Sequence, residues 1–180
     1  MKVKKHKKLV ALIMIFTFPL VSSWLVYTYH AYFHFKTTNH GCLITPPVPV
    51  GQLVEAALEH KQWVIAFAPQ RCDDVQSDHV IFELRQLRKA LGENAYRVSV
   101  VLWDNQSCLP KLISDVKKVS LSNQQVMILQ NALHQHAMFI TDKIYLIDPL
   151  GNLFMYYPAN TDVMNIFSDL KKVLGVSQIG

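Results

Sequence analysis

Two groups of sulfur and nitrogen side chains could carry chemistry in this sequence. Cys72 and Cys108 each follow a short apolar run. The second group has the pattern H-x-H-x-M and consists of His134, His136 and Met138. Thiolate, imidazole and thioether are ligands that suit copper, and the sulfur ligands suit Cu(I) in particular. One hypothesis is therefore a copper site that combines Cys72 with the second group, whose alternate side chains share one side of an extended segment.

The two cysteines also allow redox chemistry. Cys72 directly precedes Asp73, the expected cap of a helix, and the helix dipole with its open backbone N–H groups favours a thiolate there. If Cys72 and Cys108 follow adjacent parallel strands, they leave one edge of the sheet and can form a disulfide. The alternatives are an unreactive or purely structural Cys72, two thiols too far apart to bridge, and a solvated histidine loop without metal.

The elements that must position these residues begin with a βαβ unit. Trp63 to Ala68 is an apolar run bounded by Pro69, as is typical of a strand buried on both faces. Asp73 and Gln76 resemble a capping box, and apolar residues then recur at helical spacing up to Gly92. Arg97 to Trp103 is a second strand, which a right-handed crossover places parallel to the first.

The later elements complete a thioredoxin-like order. Strands at Ile144 to Ile147 and Leu153 to Tyr157 flank the turn Asp148 to Gly151, and a C-terminal helix ends near Gly175. The remaining expectations are short helices at 51–60 and 109–119, followed by a polar stretch through Asn131 to which no element is assigned. The fold class is α/β: a thioredoxin-like domain, with a βαβ unit, a β-hairpin and a C-terminal helix, preceded by one transmembrane helix.

Charge and hydropathy separate the N-terminus from this domain. The chain has 180 residues and a net charge of +5, and a lysine cluster within residues 1–8 accounts for that excess. The remainder is balanced and shows no basic stripe, which excludes a nucleic-acid partner. Leu9 to Tyr29 carries no charged side chain and is long enough to cross a bilayer. We predict a retained anchor, with cleavage after the small residues near Ser23 as the alternative.

The lysine cluster also predicts the orientation. Because cytoplasmic flanks carry the excess of Lys and Arg, residues 1–8 lie in the cytoplasm, 9–29 span the bacterial inner membrane, 30–50 form a periplasmic tether and 51–180 form the periplasmic domain. The periplasm is oxidising. Cys42 on the tether is therefore expected either to be unpaired or to form a disulfide with another chain.

Several segments resemble the small membrane-anchored Sco-like proteins of proteobacteria, which are cytochrome oxidase assembly factors. They are Thr38 to Gly41 followed by Pro46 and Pro47, Phe82 to Gly92, Tyr145 to Tyr157 and Asp169 to Gly180. The resemblance covers most of the chain from residue 38. It implies the thioredoxin-like fold, copper as a ligand, and terminal oxidase subunits or their assembly factors as partners.

The cysteine motif departs from that family. Sco-type proteins carry a second cysteine four positions after the first, and a distal histidine. Here the corresponding residues are Gln76, or Ser77 if the register slips by one, and Ile140.

Three functions follow from these observations. The leading one is a non-enzymatic accessory factor in respiratory oxidase assembly, acting by partner or copper binding. The second is a thiol-disulfide oxidoreductase that uses Cys72 and Cys108. The third is an adaptor with a degenerate motif and no redox or metal role. An enzyme is the less favoured class because a lone thiol cannot complete dithiol exchange.

The lysine cluster before a single uncharged span makes the topology testable. A reporter fused after Gly180 that works only in the periplasm should be active, because the positive flank stays in the cytoplasm. Activity of a cytoplasm-only reporter at the same site would contradict this orientation.

Overall fold

The computed structural model describes residues 2–29, 38–54, 61–71, 75–104, 116–134 and 141–179. They divide into two compact units, Met1–Thr38 and Asn39–Gly180. The first unit contains helix α1, Lys2–Thr28. Its segment Lys7–Thr28 is 22 residues long, has a mean hydropathy of 2.3 and is not buried, so it is long and apolar enough to cross a membrane. Pro19 lies inside the helix, as membrane-spanning helices tolerate.

The second unit is built on one sheet of six strands in the order β1-β6-β5-β2-β3-β4. The strands are β1 Cys42–Pro49, β2 Trp63–Ala68, β3 Val98–Asp104, β4 Lys117–Ser120, β5 Lys143–Ile147 and β6 Asn152–Pro158. Strands β2, β3 and β4 run parallel, whereas β5 is antiparallel to β2 and β6, and β1 is antiparallel to β6. The predicted βαβ unit and hairpin are confirmed.

Helices cover both faces of this sheet. The helices are α2 Gly51–Val54, α3 Val75–Ala90, α4 Asn123–His134 and α5 Val163–Val176, with a 3-10 helix at Gly92–Arg97. Alternate residues of β2 enter two separate cores. Trp63, Ile65 and Phe67 pack with α3 and α5 on one face. Val64 and Ala66 pack with Leu129 of α4 on the other.

One expectation for the middle of the chain is wrong. The helix predicted through Val119 includes residues 117–119, but these belong to β4, which pairs with β3 in parallel. The polar stretch that follows, to which the sequence assigned no element, forms α4, in which Leu129 and Leu133 lie one turn apart and are buried. Residues 109–115 and 55–60, the other parts of the predicted short helices, lie outside the described residues.

The segment expected to be a free tether contributes a strand. Cys42 pairs with Tyr156 and Val48 with Leu153. Ile44 and Val48 are buried, and their apolar side chains explain why the prolines around them do not keep this segment off the sheet. At the other end of the chain, α5 continues through Val176, so Gly175 lies inside the helix and does not terminate it.

The predicted hairpin turn is confirmed and Gly151 is essential to it. The N–H of Gly151 donates to the carbonyl of Asp148 at 2.9 Å. The side chain of Asp148 accepts from the N–H groups of Leu150 and Asn152. Gly151 has φ +84°, and a Cβ there would lie 2.5 Å from the Cα of Gly51. A side chain would therefore combine backbone strain with a collision against backbone.

Replacing Gly151 with Val should lower the free energy of unfolding by about 1–3 kcal/mol, because a β-branched residue resists this backbone conformation. Chemical denaturation of the full chain in detergent measures the change. Gly92→Val is the matched control, since Gly92 also has a positive φ but open space around it. An equal loss in both variants would contradict the collision with Gly51.

Candidate functional site

The strand ends to which the predicted site segments are joined lie at one edge of the sheet. Ala68, the last residue of β2, pairs with Lys143, the first residue of β5. Phe67 of β2 pairs with Leu102 near the end of the parallel strand β3. The carboxyl ends of β2 and β3 and the amino end of β5 therefore lie side by side. We refer to this as the carboxyl edge.

Cys72 and Cys108 leave the carboxyl edge from neighbouring strands. Cys72 follows Ala68 by four positions, and Cys108 follows Asp104 by four. Adjacent strands lie about 4.8 Å apart and four extended residues span up to about 14 Å, so the two spacers can bring the thiols together. Both cysteines and the expected cap Asp73 lie outside the described residues, and their pairing stays a prediction.

The segment that contains the H-x-H-x-M group is joined to the same edge through the start of β5. Helix α4 ends at His134 and β5 begins at Lys143, so the segment between them must arrive at the carboxyl edge. His136, Met138 and the side chain of His134 lie outside the described residues. Within the part of the chain that is described, no group of three His, Cys, Asp or Glu side chains could hold a metal ion. A copper site must therefore draw on the undescribed segments.

Ser77 is one of the two residues that could correspond to the second cysteine of Sco-type proteins. In this chain it has a structural role. Its hydroxyl is buried and donates to the carbonyl of Arg71 at 2.6 Å. This bond closes the loop between β2 and the first turn of α3. Gln76, the other position compared, is exposed.

Asp142 joins three strand ends at the carboxyl edge. Its N–H donates to the carbonyl of Ala68 at 2.7 Å, and its own carbonyl accepts from the N–H of Ala159 at 3.0 Å. Asp142 has φ +58°, a left-handed conformation that Asp tolerates better than most residues. The ends of β2, β5 and β6 are thus held together by backbone bonds through one residue.

The most constrained polar cluster in the described chain is centred on Asp169 of α5. Its carboxylate is 2% exposed. It accepts from the backbone N–H of His40 at 2.6 Å and of Gly41 at 3.1 Å. The hydroxyl of Tyr157 donates to it at 3.0 Å, Nδ1 of His40 lies 3.1 Å away, and Nζ of Lys172 lies 3.3 Å away. We call these five residues the Asp169 cluster.

Hydrogen bonds keep the Asp169 carboxyl ionised. Burial by itself would raise its pKa, but the donors from Gly41, His40 and Tyr157 outweigh burial and lower the pKa below the usual value for Asp. Burial and the adjacent carboxylate raise the pKa of Tyr157, so its hydroxyl remains a donor. The cluster is therefore an anion held by neutral and positive partners.

The Asp169 cluster fixes the start of β1 against α5. The bonds of His40 to Asp169 give this residue a structural role. Gly41 admits this approach, because a Cβ there would lie 2.6 Å from the side chains of Met155 and Tyr157. The segments that contain His40 and Asp169 both resemble the same family, but nothing in the sequence connects one with the other. The one signal in the sequence was Asp169 itself, a charged residue on the apolar face of α5 between Ile166 and Leu170.

Cys42 is an exposed, unpaired thiol. It lies opposite Tyr156 across the β1–β6 pair. Burial, followed by the neighbouring Cys42 side chain, raises the pKa of Tyr156. Within the described part of this single chain, Cys42 has no disulfide partner, and its exposure leaves a disulfide with another chain as the alternative prediction.

The fold is thus a thioredoxin-like domain with one N-terminal helix suited to a membrane. A family model described as transmembrane-like, thioredoxin-like, C-terminal domain matches residues 63–177. The chain belongs to this family. No curated protein sequence matches it.

Solved structures similar to this chain include three of the Sco family. Yeast Sco1 with copper bound has a TM-score of 0.49 and 13% identity, covering 66% of this chain and 81% of its own. A SCO1/SenC family lipoprotein from Bacillus anthracis has a TM-score of 0.47 and 16% identity, covering 67% and 85%. BsSco, described as a member of the Sco family of cytochrome c oxidase assembly proteins, has a TM-score of 0.46 and 17% identity, covering 65% and 82%.

The Asp169 cluster predicts a loss of stability in acid. Because the folded-state pKa of Asp169 is lowered, its contribution is present above the unfolded-state value of about 3.9 and is lost as the pH falls through the lower folded-state pKa. Asp169→Asn should lose about 1–3 kcal/mol at neutral pH, since buried donors lose a charged acceptor. The difference from the wild type should shrink toward pH 3.

Unfolding free energies between pH 7 and pH 3 measure this effect. Asp78→Asn, at an exposed position on α3, is the matched control and should follow the wild type. A difference between Asp169→Asn and the wild type that stays constant down to pH 3 would contradict the assignment.

Proposed function

We propose that the protein is a membrane-anchored accessory factor in the assembly of a respiratory cytochrome c oxidase, with its thioredoxin-like domain in the periplasm. It acts by binding copper or a partner protein at the carboxyl edge. The observation that supports the proposal is the strand register, which puts the carboxyl ends of β2 and β3 and the amino end of β5, to which the Cys72, Cys108 and H-x-H-x-M segments are joined, at one edge of a single sheet. The resemblance of the flanking segments to Sco-like proteins supports the oxidase as the target.

Copper fits the donor types that this edge can supply. Cys72 offers a thiolate, His134 and His136 offer imidazoles, and Met138 offers a thioether, a set that suits Cu(I). Cys108, which follows the adjacent strand β3 in sequence, would be a second sulfur ligand. The ion is treated as cargo to be delivered to the oxidase and not as a resident cofactor.

The role of the remaining chain is to hold this edge in place. Asp142 joins the ends of β2, β5 and β6 through backbone hydrogen bonds, and Ser77 closes the loop that contains Cys72. A ligand set on three loops gains precision when the strand ends that carry the loops are rigid. These bonds supply that rigidity without contributing a ligand.

One specific observation favours a second function. Cys72 and Cys108 follow neighbouring parallel strands by equal spacers, which favours a reversible disulfide between them and thus thiol-disulfide exchange. In this case the pair replaces the closely spaced cysteines that the first helix lacks. If neither copper nor a disulfide is found, the domain acts as an adaptor.

Copper binding by the full chain in detergent separates these functions. Under anaerobic, reducing conditions we expect one Cu(I) per chain, measured by metal analysis and by competition with a chromophoric Cu(I) chelator. Cys72→Ser and His136→Ala should each weaken binding by about tenfold or more, the scale of losses at metal sites. Cys42→Ser and His79→Ala are the matched controls, because they are the same residue types at exposed, described positions outside the three segments.

The other outcomes are equally informative. If the chain binds no copper but thiol counting detects a reversible Cys72–Cys108 disulfide, thiol-disulfide exchange would replace copper binding as the proposed function. A cell that lacks the protein should lose oxidase activity and regain it with the wild type but not with Cys72→Ser. Full recovery of oxidase activity with Cys72→Ser would mean that the Cys72 thiol is not needed for the function. The adaptor would then be the favoured function.

A further inference from the structure

Helices α3 and α5 leave an apolar groove between them on the outer surface of the domain. The groove has a volume of about 320 Å³. The apolar residues that line it are Phe82, Leu87, Ala90, Val163, Met164 and Phe167. None of these residues belongs to the segments assigned to the proposed copper site.

Large apolar side chains at this groove are exposed to solvent. Phe82 is 54% exposed and Met164 is 60% exposed. Phe167 is partly buried against the core, and Nζ of Lys171 lies 5.9 Å from the centre of its ring. Neighbouring exposed apolar side chains around a concave surface mark a docking site for another macromolecule.

The two walls of the groove run in the same direction. Helix α3 follows β2, whose last residue Ala68 pairs with Lys143. Helix α5 follows β6, whose last residue Pro158 pairs with the same Lys143. Both helices therefore begin at the carboxyl edge of the sheet and run toward the opposite edge.

Charge is distributed unevenly along these parallel walls. Acidic residues lie between the first turn and the middle of α3 and at the start of α5, whereas basic residues lie in the second half of α3 and the second half of α5. The acidic residues are Asp78, Glu83 and Asp162, and the basic residues are Arg85, Arg88, Lys89 and Lys171. Lys172 is not counted among them because its charge is paired with Asp169. The surface has a negative end and a positive end with the apolar groove between them.

We propose that this groove is the contact between two copies of the chain, related by a two-fold axis. In a two-fold contact the same patch serves on both subunits, and residue i of one copy meets residue j of the other. Rotation by a half-turn brings the acidic end of one groove onto the basic end of its partner, which is electrostatically complementary. Phe82 and Met164 of each copy then cover the groove of the other.

The membrane anchor favours this occupant over a soluble peptide. Helix α1 is suited to span a bilayer, and copies held in one membrane meet at a raised effective concentration. A modest contact area can therefore suffice. The inference does not depend on copper or on the oxidase, because no residue of the groove belongs to the proposed copper site.

Sedimentation of the full chain in detergent, over a range of protein concentrations and with a reductant to keep Cys42 reduced, tests the proposal. The wild type should show a reversible monomer–dimer equilibrium. Met164→Glu should weaken dimerisation by about tenfold or more, because it places a charge in the apolar part of the contact. Met127→Glu is the matched control, since Met127 is 61% exposed on α4, on the opposite face of the sheet.

A pair of charge reversals tests the two-fold arrangement itself. Glu83→Lys and Lys171→Glu should each weaken the dimer, and the double variant should recover most of the lost affinity because opposite charges meet again. A monomer at all concentrations would overturn the proposal. So would a dimer that Met164→Glu leaves intact, which would place the contact elsewhere, or one that Met127→Glu weakens equally.

Discussion

The position of β2 at the centre of the sheet is the constraint on which the rest of the structure depends. Its six residues are all buried, and their side chains enter one core with α3 and α5 and another with α4. Its parallel pairing with β3 and antiparallel pairing with β5 determine which loops meet. A shift of β2 by one residue would exchange the two cores and would also move the segments of the proposed site out of register.

The sequence predicts the elements whose pattern is strongly apolar. The run at β2 was predicted with its observed bounds, and β3 begins one residue later than expected. The apolar pattern does not identify elements that form because of their contacts with the sheet. Helix α4 contains no charged residue and several amides, so it resembles an irregular segment until the sheet buries Leu129 and Leu133. The four residues of β4 form a strand because they pair with β3. This is a tertiary contact and not a local sequence preference.

The sequence predicts that the strand ends of the candidate site share one edge, but it does not predict the Asp169 cluster. The alternation of strands and helices is enough to infer that the segments after β2 and β3 share an edge, and the register agrees. The Asp169 cluster was not predictable in the same way, because it joins residues 129 positions apart along the chain. A buried aspartate in an apolar helix face indicates that donors must exist, but only the packed structure identifies them as His40, Gly41 and Tyr157.

The two outer strands also limit how another protein can recognise this domain. A partner that adds a strand to a sheet needs a long row of unpaired backbone donors and acceptors. Strand β1 contains Pro46, Pro47 and Pro49, which have no N–H to donate, and β4 is only four residues long and begins with two lysines. Neither edge is a good template for an incoming strand, and the same features protect the domain against edge-to-edge aggregation. Recognition is therefore left to helical surfaces and to the loops at the strand ends.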